Sequence, residues 1–221
     1  MQVTPQFEIF GSILSVLAGG ALTALQVAAG AFVIAVAAGM LLAVTVTFVR
    51  IRLLHLAIAG WIEWMRNVPA LAHLFVIYFG LAAVGVRLSP LVAAVLGLGF
   101  VGAAVLCDVF VAGLRSLHAG QREAALAVGM TPRQALVSVL LPQMLRVTWP
   151  SLGNYTSQLL KDTSIASAIA APEIMFFARN LVTSTFETTL IYLAAMLLYA
   201  AMVLPVSWAF SRAENRMEAR R

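Results

Sequence analysis

The chain has 221 residues, of which 62% are hydrophobic and 10% are charged, and its mean hydropathy is +0.97. An ordinary soluble domain is excluded, because such domains are about half apolar and a quarter charged. The apolar runs lack the alternation of an outer-membrane barrel, and in lipid every backbone polar group needs an internal partner, so these runs indicate helices. We therefore predict an all-α integral membrane protein with a single domain over residues 1–221.

Five transmembrane helices are predicted from the apolar runs, since a span takes about 20 residues. The uncharged run from Gly11 to Val49 exceeds one span, so we divide it at Gly19-Gly20 and place an interfacial segment at about 7–19. The first ten residues carry no lysine or arginine, so we expect the first span to be retained rather than cleaved. The predicted spans are 21–49, 67–86 (entered through a kink at Pro69), 91–114, 151–171 and 188–210, with an external loop at 173–187.

Arginines are distributed unevenly among the predicted loops. One side of the membrane keeps only Arg87 and Arg179. Cytoplasmic loops are the ones enriched in lysine and arginine, so we predict the N-terminus outside and the C-terminus in the cytoplasm. The arginines assigned to the cytoplasmic side are Arg50, Arg52, Arg115, Arg122, Arg133, Arg146, Arg212, Arg216, Arg220 and Arg221.

The stretch 115–146 is polar and predicts a helix, a turn and a second helix. Residues 121–128 have helix-forming composition, and Gly129 follows where a left-handed residue ends a helix. Thr131 and Gln134 can form a capping box around Pro132 at the first helical position. Two interpretations remain open, namely a capped surface loop and a helix that fits into a groove on another protein.

Charged side chains within predicted spans predict functional or structural pairs, because each costs about 2.5 to 3.5 kcal/mol in lipid. Glu63 and Arg66 are three residues apart on a helix, so we predict a structural ion pair between them. Asp108 has no opposite charge within one turn and needs a partner from another helix, water or cargo. A role in cargo movement or gating and a structural interhelical pair both remain open for it.

The fourth predicted span carries polar side chains at helical spacing, typical of a helix that lines water. Interhelical hydrogen bonds are the alternative. Glu63, Arg66, Asp108, Lys161 and Asp162 sum to a charge of minus one, which suits a zwitterion or a cation. The residues proposed to line a substrate pathway are Asp108, Asn154, Gln158, Lys161, Asp162 and Ser164, with Ser157 on the same polar face.

Catalytic and metal-binding patterns are absent from the sequence. No GxxxxGK[ST] phosphate loop occurs, and the single lysine, Lys161, follows Leu160 in an apolar segment. His55, His73 and His118 are isolated, and Cys107 lies in an apolar run. We therefore expect no enzymatic ATP hydrolysis, no metal and no cofactor bound by this chain.

Several motifs resemble those of a known family. Glu123-Ala124-Ala125, Gly129, Val139 and Leu141-Pro142 are spaced as in the EAA loop of permease subunits of ATP-binding cassette importers. From about Gly20 to the tail, the chain is similar to the polar amino acid permeases of this family. The supporting segments are EWMRNVP at 63–69, IYFG at 77–80, RLSP at 87–90, LPQ at 141–143, GN at 153–154 and LLKDTS at 159–164.

The resemblance implies a coupling helix through which a separate ATPase drives the permease. It implies two ATPase subunits that use ATP and Mg, a second permease chain of the same or a paralogous sequence, and an external solute-binding protein. The setting is the bacterial inner membrane, in contact with lipid and without nucleic acid, and the cargo is a polar amino acid or a related zwitterionic or cationic solute. Asp162, and Asp108 where the family usually has Glu, become pathway residues. The ATPase-coupling residues are Gln121, Arg122, Glu123, Ala124, Ala125 and Gly129.

Departures from the family pattern lie near the predicted pathway and leave the coupling stretch intact. They are Val68 for Thr, His73 for Gln, Val101 for Asn, and Val111-Ala112-Gly113 for RGG. Two alternatives therefore stay open. One is a gradient-driven secondary transporter or channel with Asp108 as a protonatable gate, although that class commonly shows internal repeats. The other is a membrane partner subunit that binds no cargo.

Overall fold

The computed structural model describes residues 4–219, and every regular element within that range is a helix. The predicted tail residues Arg220 and Arg221 lie outside it. The helices, renumbered in chain order, are α1 (Thr4–Phe48), α2 (Arg52–Asn67), α3 (Ala70–Ala83), α4 (Pro90–Ser116), α5 (Ala119–Ala127), α6 (Pro132–Ile169), α7 (Ile174–Thr185) and α8 (Thr188–Glu218).

Three of the described helices are long and apolar enough to cross a membrane, namely segments of α1, α4 and α8. Two bent pairs, α2 with α3 and α6 with α7, raise the number to five if each pair is one span. The all-α membrane fold predicted from composition is confirmed, and five spans is the upper number that the helices allow.

The division of the first apolar run at Gly19-Gly20 is wrong, because α1 continues through both glycines. Their role differs from that of a helix break. A Cβ atom added to Gly20 would lie 2.5 Å from the backbone nitrogen of Ile174, whereas one added to Gly19 would meet nothing within 4 Å. Gly20 therefore lets α1 approach the start of α7 closely. It is a site of backbone contact inside a continuous helix and not the end of a segment.

The chain turns sharply between α2 and α3, which are bent by 104°. Pro69 disfavours the helical conformation for the residue before it, and Val68 is extended at φ −96° and ψ 135°. The kink predicted at Pro69 is confirmed. A π-helical segment at Val76–Gly80 then interrupts α3.

The core forms where α4 packs along α1. Small residues allow the two backbones to approach, as is common between membrane helices. A Cβ on Gly39 of α1 would lie 3.0 Å from the carbonyl oxygen of Ala103. One on Gly99 of α4 would lie 2.8 Å from the Cβ of Ile34. Fully buried side chains around this contact include Leu106 and Phe110.

Helix α6 begins well before the predicted span start at 151 and carries Pro142 and Pro150 within it. A proline removes one backbone hydrogen bond and crowds the preceding turn. The π-helical turn at Ala135–Leu140 directly before Leu141-Pro142 widens that turn, which lets the helix continue. At its other end, α6 tightens into a 3₁₀ segment at Thr163–Ile169 and stops at Ala170, whose φ is 59°.

The segment 173–187, predicted as an external loop, is largely a helix, α7, and the break between α6 and α7 agrees with the predicted end of the fourth span at 171. Helix α7 follows Pro172, and Glu173 accepts a hydrogen bond from the backbone nitrogen of Phe176, 2.7 Å away. This side-chain bond caps the N-terminus of α7. Helix α8 then returns along α6, where the tilted rings of Trp149 and Phe210 contact each other with centroids 5.1 Å apart.

Candidate functional site

Helix α5 is a short helix outside the long apolar segments, and its C-terminus has a well-defined stop. Gly129 has a φ of 84°. The backbone nitrogen of Met130 donates to the carbonyl of Ala125 at 3.1 Å, and that of Gly129 donates to Leu126 at 3.0 Å. This pair of bonds is the Schellman arrangement. The left-handed stop predicted at Gly129 is therefore present, although α5 covers Ala119–Ala127 rather than 121–128.

The turn after α5 leads directly into α6 through the predicted capping box. The Thr131 hydroxyl accepts from the backbone nitrogen of Gln134 at 3.3 Å, and the Gln134 side chain accepts from that of Thr131 at 2.9 Å. Pro132 occupies the first helical turn. The helix, turn and helix predicted for this stretch are confirmed.

Side-chain contacts hold α5 against the rest of the chain. Ala125 is buried, Gln143 of α6 donates to the side chain of Gln121 at 3.2 Å, and the guanidinium carbon of Arg122 lies 5.9 Å from the Phe48 ring centroid. Glu123 and Ala124 are exposed. One face of α5 is thus anchored, and another is free to contact a second protein. The exposed residues of α5 and its C-cap are Ala119, Gln121, Arg122, Glu123, Ala124, Leu126, Ala127 and Val128.

Asp108 obtains its partner from another helix. Arg66, near the end of α2, donates a hydrogen bond to the Asp108 carboxylate and forms an ion pair with it. The predicted Glu63–Arg66 pair is wrong, because Glu63 instead accepts from the side-chain nitrogen of Asn67 at 2.7 Å. The bend after α2 and the packing of α2 on α4 bring Arg66 to Asp108, and sequence spacing does not encode that approach.

A pocket of about 310 Å³ surrounds this ion pair, between α1, α2 and α4. Glu63 and Asp108 carry negative charges there, and Arg66 and Arg115 carry positive charges. His55 also lines the pocket. The two negative and two positive charges sum to zero when this histidine is neutral. The remaining lining residues are Val46, Ile58, Ala59, Ile62, Cys107 and Val111.

Polar residues of α6 form an exposed stripe. Ser151, Asn154, Gln158 and Lys161 recur at intervals of three and four residues, and all four are exposed in the single chain. Asp162 is half-buried and accepts a hydrogen bond from the Gln158 amide at 2.8 Å. Ser164 is half-buried in the 3₁₀ segment.

Within the described part of the chain, Asp108 and Asn154, both predicted to line one pathway, line two different pockets. Asp108 lines the pocket described above. Asn154 lines another of about 240 Å³ with residues of α8 that the sequence interpretation missed, namely Ser207, Ser211 and Glu214. Lys161 and Asp162 line neither of these two pockets. Among the described residues, no group of three or more His, Cys, Asp or Glu is arranged to hold a metal ion.

Glu173 is a further residue that sequence reasoning missed. Its exposed fraction is 0%, and it accepts hydrogen bonds from the Phe176 backbone and from the Tyr199 hydroxyl of α8. It thereby joins the start of α7 to α8 beside Gly20 of α1. The Pro172-Glu173 pair before an amphipathic segment is the available sequence signal for this cap.

The fold and these surfaces define the class, a polytopic helical membrane protein with a short capped helix outside its long apolar spans. Residues 35–219 match the family model described as "Binding-protein-dependent transport system inner membrane component". The chain belongs to this family and is a multi-pass inner-membrane protein, as the sequence motifs indicate.

Curated relatives support the same family. The probable glutamine ABC transporter permease protein GlnM of Bacillus subtilis (strain 168) is 34% identical over 191 residues, covering 85% of this chain and 88% of the relative. The probable amino-acid permease protein YxeN of the same organism is 37% identical over 188 residues, covering 81% of each chain.

Solved structures share the fold. A crystal structure of an amino acid ABC transporter with histidines matches with a TM-score of 0.84 at 27% identity, covering 98% of this chain and 100% of that chain. The MetNI methionine ABC transporter in an inward-facing conformation matches with a TM-score of 0.75 at 22% identity, covering 91% and 95%. The second likeness concerns the fold alone.

Proposed function

We propose that this chain is the permease subunit of an ATP-driven amino acid importer and that α5 is its coupling helix. The observation that carries the proposal is the construction of α5. It is anchored through Ala125 and the Gln121–Gln143 bond, stopped at Gly129, and leaves Glu123 and Ala124 exposed. A short rigid helix held in this way can transmit a push from a partner to α4 and α6, which flank it in the chain.

The partner that pushes on α5 is a separate ATPase subunit, present in two copies, which binds ATP and Mg. This sequence contains no GxxxxGK[ST] phosphate loop. In this proposal α5, the start of α6 and the C-terminal tail lie in the cytoplasm, and the N-terminus lies outside. The arginine-rich loops then follow the positive-inside distribution. An external solute-binding protein delivers the cargo to the opposite side.

The translocation pathway lies between this chain and a second permease chain of the same or a paralogous sequence. Its support is the exposed stripe of α6, because Asn154, Gln158 and Lys161 would be costly against lipid. A second chain that leaves water along the stripe removes this cost. Asp162 and Ser164 border the stripe, while Asp108 lines the separate pocket between α1, α2 and α4.

The cargo is a polar amino acid or a closely related solute. Relatives named for glutamine, cystine and amino acid transport are 31% to 37% identical to this chain.

Co-purification tests the coupling helix. The chain is extracted from membranes in mild detergent, and a phosphate-loop ATPase is sought by mass spectrometry beside the parent, Glu123→Arg and Arg87→Glu. We expect the ATPase with the parent and with Arg87→Glu, which also changes charge by two units at an exposed site. Glu123→Arg should lose it. Equal association in all three contradicts the assignment of α5, and absence from all three contradicts the importer.

Uptake separates the proposal from its alternatives. Gly129→Asp and ATP depletion should each abolish uptake by the importer and leave a gradient-driven transporter largely active. Asp108→Ala with Asp162→Ala should reduce uptake if this chain contacts cargo. Unchanged uptake in that folded double variant favours a partner subunit that binds no cargo.

A further inference from the structure

An apolar groove lies on the outside of the chain where α1, α2 and α4 meet. Its volume is about 470 Å³, and Leu41 and Phe100 at its walls are 68% and 40% exposed. The groove is therefore open at the surface of the single chain, and its apolar lining suits an acyl chain. Its lining is apolar throughout and consists of Ala38, Leu41, Leu42, Ala57, Ile58, Trp61 and Phe100.

Exposed arginines occupy the junction between α1 and α2, which adjoins the helices that line this groove. Helix α1 ends at Phe48 and α2 begins at Arg52, and the side chains of Arg50 and Arg52 are exposed. Arg122 of α5 comes to the same end of α1, because its guanidinium carbon lies 5.9 Å from the Phe48 ring centroid. No Asp or Glu occurs from Val49 to Gly60, so nothing in the junction sequence neutralises these charges.

The junction is held in place by its own contacts. The His55 ring nitrogen Nε2 lies 2.6 Å from the Val49 carbonyl oxygen, which ties the first turn of α2 to the end of α1. Arg50 and Arg52 therefore lie in a short turn that this contact holds in place. The backbone positions of both arginines are thus fixed relative to the start of α2, whose next turns line the groove.

That spacing suits one lipid molecule. Ala57 is five residues from Arg52, which is about 7 to 8 Å along a helix. A headgroup region is of similar thickness, since the full bilayer exceeds its hydrocarbon core by about 5 to 8 Å on each side. A phosphate at the arginines therefore places the first part of an acyl chain at the groove, which Ala57 and Trp61 line.

We propose that this junction is a binding site for one anionic phospholipid, with its phosphate at Arg50 and Arg52 and an acyl chain in the groove. A net negative headgroup is favoured because clustered arginines at a membrane surface attract anionic lipid. The site depends on the membrane location of the chain and not on its cargo.

Native mass spectrometry of the full chain tests the site. The protein is exchanged into detergent with equal amounts of phosphatidylglycerol and phosphatidylcholine that carry the same acyl chains, and the retained lipid is counted. We expect the parent to retain phosphatidylglycerol preferentially. Arg50→Gln with Arg52→Gln should reduce this retention about tenfold or more, whereas the matching Arg→Lys pair should keep most of it because the charge remains.

A groove variant and a charge control complete the experiment. Ala57→Phe fills the groove without changing charge and should also release the lipid. Arg87→Gln with Arg179→Gln removes two exposed charges elsewhere and should retain it. Equal retention of both lipids by the parent, or parent-like retention by both the glutamine pair and Ala57→Phe, overturns the proposal.

A second copy of the chain is the other occupant to exclude. Leu41→Cys in a Cys107→Ala background reports it, because Leu41 is exposed at the groove wall. We expect no disulfide-linked dimer in membranes under mild oxidation. Efficient cross-linking through position 41 would assign the groove to a protein interface and overturn the lipid site.

Discussion

The carboxylate of Asp108 on α4 is paired with the guanidinium group of Arg66 on α2, across a gap of 42 residues in sequence. Helix α2 precedes the 104° bend into α3, and α4 leads into α5 after Ser116. The pair therefore connects the helix at the bend to the helix that carries α5. Both side chains are about half exposed, at 48% and 47%, so the ion pair is not fully buried in the single chain.

A double-mutant cycle should measure this pair. Arg66→Ala and Asp108→Ala should each lower the melting temperature in detergent, and the double variant should lose less than the sum. Because the groups are half exposed, we expect a coupling free energy of up to about 1 kcal/mol. Glu63→Gln is the control, since Glu63 contacts Asn67 instead. Coupling between Glu63 and Arg66 of the same size would contradict the observed pairing.

The two neighbouring glycines of α1 should respond oppositely to alanine. A Cβ at position 20 collides with the backbone of Glu173 and Ile174, so Gly20→Ala should destabilise the fold by about 1 to 3 kcal/mol. Gly19→Ala meets open space and adds helix propensity, so its melting temperature should be unchanged or slightly higher. Thermal unfolding in detergent compares them. Equal effects would mean that α1 does not contact α7 through Gly20.

Glu173 should contribute to stability through two hydrogen bonds made in a buried position. Replacing it with Leu leaves the Phe176 amide and the Tyr199 hydroxyl without their acceptor, so we expect a loss of about 1 to 3 kcal/mol. Tyr199→Phe removes only one bond and should cost less. The measurement is thermal unfolding of the purified protein. A larger effect of Tyr199→Phe than of Glu173→Leu would place the main contribution on Tyr199 instead.

Gly129 should be sensitive to backbone conformation rather than to side-chain size. A Cβ there meets nothing within 4 Å, but its φ of 84° disfavours residues other than glycine. Uptake per ATP hydrolysed should therefore decline in the order Gly, Asn, Ala and Val, because Asn enters the left-handed region more readily. The Val variant should have the lowest uptake per ATP hydrolysed, since a β-branched side chain disfavours positive φ values. Equal uptake by Asn and Val variants would show that the left-handed stop is not needed for coupling.

Local features of this protein were predictable from the sequence. The apolar runs require helices in lipid, so the all-α membrane fold follows from composition. The helix end at Gly129 and the capping box of Thr131 and Gln134 are made by hydrogen bonds between residues a few positions apart. The bend at Pro69 arises because the proline ring disfavours a helical conformation of the residue before it. The spacing of the EAA stretch likewise indicated the family without any tertiary contact.

Long-range partners were decided by the tertiary structure alone. A glycine pair looks the same in sequence whether it breaks a helix or packs against another backbone, and only the approach of α7 distinguishes Gly20 from Gly19. Two acidic residues, Glu63 and Asp108, were possible partners for Arg66. The bend after α2 and the packing of α2 on α4 pair it with Asp108. Local bonds depend on neighbouring residues, whereas these contacts depend on how separate helices cross, which the spacing within one helix does not specify.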